Sequence, residues 1–172
     1  KFIHDSSYID LGAKIGDGTK IWHFCHVMSK AVIGENCNIG QNVFIADHVL
    51  IGNGCKIQNN VSLYTGTVIE DDVFIGPSSA FTNIRNPRSF ISRKSEYSKT
   101  IIKKGSTIGA NSTIICGVTI GEYSLIGAGS VVTKDVPSYS MVIGNPGRVV
   151  EKVTKNLNEK RLNFKLEKNS FG

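Results

Sequence analysis

The chain has 172 residues, of which 40% are apolar and 20% charged. That suits one domain whose core needs neither disulfides nor a structural metal, and it excludes a disordered chain. The net charge of +6 suits an anionic ligand such as a nucleotide or phosphate without implying nucleic acid. No apolar run approaches the ~18 residues of a membrane span. No secretory leader pattern is present, and the four cysteines form no CxxC pair. A reduced, cytoplasmic protein with no metal is the expectation.

A period of six runs through the chain. Every sixth residue from Ile3 is apolar: Ile3, Ile9, Ile15, Ile21, Val27, Ile33, Ile39, Ile45, Ile51, Ile57, Leu63, Ile69, Ile75 and Phe81. The register breaks there and resumes at Ile102, Ile108, Ile114, Ile120, Ile126 and Val132. Two residues before each early anchor sits a small or β-branched residue, among them Ala13, Thr19, Cys25, Ala31, Cys37, Val43 and Cys55. Three residues after the anchors, glycine and Asx recur, as in Gly12, Gly18, Asn36, Asn42, Gly54, Asn60, Gly66, Asp72, Gly105, Asn111, Gly117, Gly129 and Asp135. These types tolerate the left-handed backbone that tight corners use.

Each hexad therefore reads as a short strand and a corner. Three hexads close a triangular coil of 18 residues, and stacked coils pair as parallel strands. Twenty anchors predict six to seven coils. Cys25, Cys37 and Cys55 occupy the small inward position and read as core filler; Cys116 lies off it, with nothing nearby that marks it as reactive.

The segment Asn83–Thr100 breaks the register and reads as a loop leaving the coil. It carries Arg85, Arg88, Arg93, Lys94, Lys99 and Tyr97, with Glu96 its single acid. Long loops on regular scaffolds commonly carry function, and Arg and Lys suit phosphate or carboxylate. A solvated loop or a subunit contact is the plainer reading. GNPGRVV (Gly144–Val150) reads as the cap that closes the coil. The division expected is a domain over 1–150 and a helical or flexible tail over 151–172, with Val153, Leu157 and Leu162 giving the tail a weakly amphipathic pattern.

The hexads, together with IGAGSVVTKDVPSYSMVIGNPGR (Ile126–Arg148), resemble the hexapeptide-repeat acyltransferases. Relatives commonly read GNPAR where Gly147 stands here. The resemblance implies an all-β fold, a left-handed parallel β-helix with one extruded loop and a short C-terminal tail. It also implies acetyl-CoA as co-substrate. IWHFCHV (Ile21–Val27), GQNVFI (Gly40–Ile45), CKIQNNVSLY (Cys55–Tyr64) and FTNIRNPRSFISRKSEY (Phe81–Tyr97) are similar to sugar-nucleotide N-acetyltransferases of bacterial surface polysaccharide (lipopolysaccharide, O-antigen) synthesis. The nearest likeness is to the family acting on UDP-2-acetamido-3-amino-2,3-dideoxy-D-glucuronate. Many relatives acting on dTDP-3-amino-3,6-dideoxyhexoses carry an Asp after FTN, where this chain has Ile84. The expected acceptor is accordingly the UDP-linked 3-amino uronate. The alternatives are a dTDP-3-amino-3,6-dideoxyhexose or another amino sugar and, in a different class, a non-catalytic solenoid. A β-helical carbonic anhydrase would need a histidine zinc site, usually with an HxxxxH pair, which is missing.

The resemblance places Asn83 beside the reacting amine, where its side-chain carbonyl accepts a hydrogen bond and aims the lone pair. A corner asparagine is the plainer reading. His23 and His26 are weaker candidates for a base. Residues 18 apart stack, which puts Asp5, His23, Gln41 and Asn59 in one column and Tyr8, His26, Phe44 and Ser62 in another. Asn83 stacks over Thr65 and Asp47, away from both. Gln41, Asn59, Asn60 and Tyr64 are candidates for nucleoside or sugar hydroxyls, and Arg88, Arg93 and Lys94 for acidic groups. Trp22 and Phe24 suit a base or an interface. For CoA the candidates are Gly127, Ala128, Gly129, Lys134, Asn145 and Arg148. The family implies a homotrimer with active sites between subunits.

Overall fold

In the computed structural model, residues 1–153 are described; the expected tail helix lies outside them. The hexads form a parallel β-solenoid, a triangular prism with three sheets of nine, seven and six strands. The first face begins Phe2–Ile3, Lys20–Ile21, Asn38–Ile39, Lys56–Ile57 and Phe74–Ile75. The second runs Tyr8–Ile9, His26–Val27, Phe44–Ile45, Ser62–Leu63 and Ala80–Phe81 and continues above the loop; the third begins with Lys14–Ile15 and Val32–Ile33. Away from the loop and the last coil, each strand pairs in parallel with the one 18 residues on, as in Phe2 with Lys20 and Tyr8 with His26.

The sequence chemistry explains the section of the prism. Two-residue strands alternate outward and inward, so the sixth-position Ile stacks on its own kind along the axis. From Ile21 to Ile126 these anchors are buried, most of them completely. Each such side chain contributes about 1.5–3 kcal/mol by leaving water. Only the first coil has half-buried anchors, Ile3, Ile9 and Ile15, because nothing stacks beneath them.

The corners obey position more than residue type. A left-handed residue recurs every six from Gly12 to Ser78, and the series includes Phe24, Lys30 and His48 beside the expected glycines and asparagines. Asp135 does not join it; its carboxylate instead accepts the Thr119 N–H at 2.8 Å. The last coil is two residues short, with Leu125 pairing Met141, and Tyr139 takes the left-handed corner. That shortened turn brings the first face to eight parallel strands, more than the six to seven coils counted from anchors.

The small inward position does more than fill space. Ser7 Oγ donates to the Trp22 carbonyl and accepts the Cys25 N–H at 3.0 Å. Thr19 Oγ1 donates to the Gly34 carbonyl at 2.7 Å and accepts the Cys37 N–H at 3.0 Å. Cys25, Cys37 and Cys55 donate their S–H groups to Gly40, Gly52 and Glu70 carbonyls at 3.0–3.1 Å. Ser79, Ser106 and Ser112 continue the series above. Side chains at this position thus hydrogen-bond the next coil's backbone in the buried interior. Burial pushes the Cys25 thiol up; the hydrogen bond with Cys37, and burial, do the same for Cys55.

The loop is slightly shorter than expected, since Thr100 already belongs to the strand Thr100–Ile102. Thr67 pairs Thr100, a step of 33 in place of 18, so fifteen extra residues are accommodated. The loop holds one 3-10 turn, Lys94–Glu96, and its mouth is closed by Ser98 N–H donating to the Asn83 carbonyl at 2.9 Å. At the far end the chain turns back, and Arg148–Lys152 pairs antiparallel with Ser140–Ile143. The cap strand therefore runs two residues past the expected boundary at 150.

Candidate active site

The prism has three edges, and the candidate residues divide between two of them. The first edge lies between the first and second faces. There Trp22, His23, Asn38, Gly40, Gln41, Gln58 and Asn59 line a groove of about 260 Å³. Gly40 forms its floor: a Cβ there would stand 2.5 Å from Asn59 Oδ1 and 2.8 Å from the Asn59 nitrogen. Trp22 is held by its Nε1–H, which donates to Asn38 Oδ1 at 2.9 Å, and by a tilted contact with Phe2. His23 stacks on His4 with centroids 3.5 Å apart.

Two predicted ligand residues on this edge also serve the coil. Asn59 Oδ1 accepts the Gln41 N–H at 2.9 Å, and Asn60 Oδ1 accepts from Asn42 Nδ2 at 3.0 Å. Asn60 is itself left-handed. Their Nδ2 groups remain for a ligand, as does the whole Gln41 amide.

On the second face, His26 Nε2 lies 2.9 Å from Asp10 Oδ1, while Asp10 Oδ2 accepts the Ser29 N–H at 3.2 Å. Aromatic rings continue along this face: Tyr8, His26 and Phe44, with Tyr64 6.0 Å beyond at the second edge.

The second edge carries Asn83 and the loop. Asn83 is half-buried and stands in register over Thr65, whose hydroxyl bonds Asp47. Arg85 turns inward over the next coil, since a Cβ on Gly117 would meet its Nη2 at 3.3 Å. Arg93 pairs with both Glu96 carboxylate oxygens at 2.9 Å, which occupies one predicted anion ligand within the loop itself. Arg88 and Lys94 are exposed and make no ion pair among the described residues. Asn83 is thus separated within one chain from His23, His26, Gln41 and Asn59, as the stacking arithmetic predicts.

Gly127, Ala128, Gly129 and Asn145 share the first edge near the upper end, while Lys134 stands on the second. Gly127 and Gly129 donate their N–H groups to the Val142 and Ala110 carbonyls, each at 2.8 Å. Ala128, exposed between them, is left to offer an amide. Space beside Gly129 is open, so an extended ligand can approach its backbone closely. Arg148 is exposed, its Nη1 bonded only to the Gly147 carbonyl at 3.0 Å. Among the described residues, no three His, Cys, Asp or Glu gather in a way that could hold a metal, and no helix is long and apolar enough to cross a membrane.

Asn38 and Gln58 escaped the sequence reading. It followed the column through His23, Gln41 and Asn59 without the neighbouring ones. The 18-residue step places Asn38 between Lys20 and Lys56, and Gln58 above Gly40 and Trp22.

Comparison with known proteins agrees with this architecture. The model of the bacterial transferase hexapeptide (six repeats) matches residues 12–47, 48–83 and 99–134, stepping over the loop. A dTDP-3-amino-3,6-dideoxy-alpha-D-galactopyranose 3-N-acetyltransferase of Aneurinibacillus thermoaerophilus is 46% identical over 148 residues, 86% of this chain and 76% of that protein. Two solved structures share the fold. A hexapeptide transferase family protein from Anaplasma phagocytophilum has a TM-score of 0.62 at 20% identity, covering 90% of this chain and 80% of that one. The acetyltransferase domain of PglB from Neisseria gonorrhoeae, in complex with acetyl coenzyme A, has a TM-score of 0.56 at 22% identity, covering 86% of this chain and 56% of that one. The repeat match and the long, 46% identical relative together place this chain in the family of bacterial hexapeptide-repeat transferases.

Proposed function

We propose that this chain is an acetyl-CoA-dependent N-acetyltransferase whose acceptor is a nucleotide-linked amino sugar. The observation that carries the reading is the 46% identity to a dTDP-amino-sugar 3-N-acetyltransferase across 86% of the chain. That relative favours a dTDP-3-amino-3,6-dideoxyhexose as acceptor over the UDP-linked 3-amino uronate expected from the sequence. Ile84, standing where many dTDP-sugar enzymes resemble one another in carrying Asp, keeps the UDP-uronate as the second reading. The setting proposed with it is cytoplasmic synthesis of a surface polysaccharide by a homotrimer, in which the loop of one subunit meets the first edge of another.

In this reaction the amine nitrogen attacks the thioester carbon, the C–S bond breaks, and an amide and a CoA thiol result. Asn83 accepts a hydrogen bond from the amine through Oδ1 and so aims the lone pair; it cannot take the proton. Within one chain His26 faces Asp10 and His23 lies on another edge, so the route proposed for the amine proton is to the departing thiolate, with a histidine of the neighbouring subunit as the alternative acceptor. Ala128 N–H, Asn145, Lys134 and Arg148 are the groups for CoA, with open backbone at Gly129. Holding both substrates in one geometry supplies much of the acceleration.

The test is a free-thiol assay with acetyl-CoA, offering the dTDP-3-amino-3,6-dideoxyhexose and the UDP-3-amino uronate side by side. Thiol release with the dTDP sugar alone supports the first reading, and release with the uronate alone moves the assignment to the second. No release with either, or with a wider set of nucleotide amino sugars, returns the chain to the non-catalytic solenoid.

A further inference from the structure

The side chain of Asn83 can be presented in two orientations, and only one serves the proposed reaction. The amine needs Oδ1, yet the two ends of a side-chain amide have the same shape and are told apart only by their hydrogen-bond partners. The backbone around Asn83 is fixed. Thr82 Oγ1 accepts the Cys116 N–H at 2.9 Å, and the Asn83 carbonyl accepts the Ser98 N–H at 2.9 Å. Neither bond orients the amide, and among the described residues the Asn83 side chain has no hydrogen bond of its own.

The corner column beneath it supplies a direction. Ser62 pairs with Phe44 below and with Ala80 above, which sets Asp47, Thr65 and Asn83 one over another at the second edge. Side chains at this 18-residue step bond along the corners of the coil. Asn42 Nδ2 donates to Asn60 Oδ1 at 3.0 Å, and Thr65 Oγ1 donates to Asp47 Oδ1 at 2.5 Å. The second bond is polarised in one sense, because an ionised carboxylate only accepts. It takes the single proton of the Thr65 hydroxyl, and Thr65 Oγ1 keeps only lone pairs for the residue above. His48 Nε2 stands 3.9 Å from the other Asp47 oxygen and leaves Oδ1 to Thr65. Asp47, Thr65 and Asn83 are all half-buried, where such bonds are stronger than in open water.

From these observations we infer that Asp47 and Thr65 are the positioning residues of Asn83. Thr65 Oγ1 accepts from Asn83 Nδ2, which turns Oδ1 to the acceptor amine. Asp47 sets the sense of the chain by holding the Thr65 proton. With the sense reversed, the Thr65 hydroxyl would donate to Oδ1 and leave an NH2 facing an amine that itself donates, so the lone pair would not be aimed. No proton moves along the chain. The inference rests on the proposed role of Asn83 and adds to it what selects one end of the amide.

The test begins with the amide itself. In the full chain with isotope-labelled asparagine, the side-chain NH2 resonances of Asn83 are identified by their loss in Asn83→Asp. They move upfield in Thr65→Val and in Asp47→Ala, and Thr65→Ser, which keeps the hydroxyl, returns them toward the parent positions. Resonances that stay in place in Thr65→Val overturn the inference, whatever the chain acetylates. Kinetics then separate aiming from packing. With a nucleotide amino sugar that supports thiol release, Thr65→Val and Asp47→Ala lower kcat about tenfold while KM stays within about twofold, and Thr65→Ser recovers most of the loss. In an Asn83→Ala background Thr65→Val changes kcat by less than about twofold, since the amide to be aimed is gone. An equal fall with and without Asn83, or a loss that Thr65→Ser does not recover, overturns the inference. Melting temperatures check that the coil is intact in each variant. The two readings fail separately. Unchanged turnover in Asn83→Ala sinks the role of Asn83 and the positioning with it. A deep loss in Asn83→Ala beside a parent-like Thr65→Val keeps the role of Asn83 and sinks the positioning alone.

Discussion

Thr19→Val tests whether the inward hydroxyls bind the coils together. Valine matches threonine in shape, so the change opens no cavity, and Thr19 is fully buried. What it removes is the bridge between the Gly34 carbonyl at 2.7 Å and the Cys37 N–H at 3.0 Å. A made hydrogen bond contributes about 0.5–1.5 kcal/mol net, and a buried group left unsatisfied costs about 1–3 kcal/mol. Two such groups are stranded, and exchanging the hydroxyl for a methyl recovers about 1 kcal/mol of burial. The expected loss is about 1.5–3 kcal/mol, or some 3–12 °C in Tm at about 2–4 °C per kcal/mol for a chain of this size. Urea unfolding followed by circular dichroism and by Trp22 fluorescence measures it. Both probes are needed because solenoids can unfold coil by coil. Val43 occupies the equivalent position without a hydroxyl, so Val43→Thr provides a control in which no native bridge is lost. If Thr19→Val matches the parent within about 0.5 kcal/mol with an unchanged m-value, the hydroxyl bridge contributes nothing.

Three further outcomes are expected. Asn83→Ala lowers turnover by at least about tenfold at saturating substrates while oligomeric state and Tm hold; unchanged turnover removes Asn83 from the chemistry. The four cysteines are buried and free, so none reacts with a thiol reagent at pH 8 until denaturant is added, when all four do. A fast-reacting thiol in the native protein contradicts the buried ladder. Gly109→Ala destabilises the coil strongly, because its Cβ would stand 2.5 Å from the Ala128 nitrogen. Gly12→Ala, with open space beside it and φ +95°, costs only the left-handed penalty of about 1–2 kcal/mol, and comparison of the two melting curves checks this.

Much of the scaffold was legible because its unit is short and strict. An apolar residue every six positions leaves little choice of fold, and the 18-residue step correctly separated Asn83 from His23 and Gln41. The corner at Asp135 was misread because the final coil drops two residues, a change with no mark in a hexad count. Phe24 and Lys30 adopt left-handed backbone against their own preference, since the geometry of the coil outweighs about 1–2 kcal/mol at a single residue. The groove was only half visible. Gln41 and Asn59 stand at corners, where polar residues draw attention, whereas Asn38 lies on a strand and looks like an ordinary outward position. Its meaning comes from what is stacked above and below. The inward thiols hid a different way, because a cysteine in a core reads as filler until its acceptor is seen.

The fifteen added residues enter and leave the prism at almost one point, and the coil resumes with Thr100 lying where an uninterrupted chain would have put the next strand. The rod above and below is thus blind to what happens in between. Closing a loop whose ends already meet costs little more as it lengthens, since the entropy grows only with the logarithm of its size. Such a chain can exchange, shorten or recharge this one segment without retuning a single stacked isoleucine. The chemistry this segment presents and the stability of the coil then reside in separate stretches of sequence and are free to diverge at different rates.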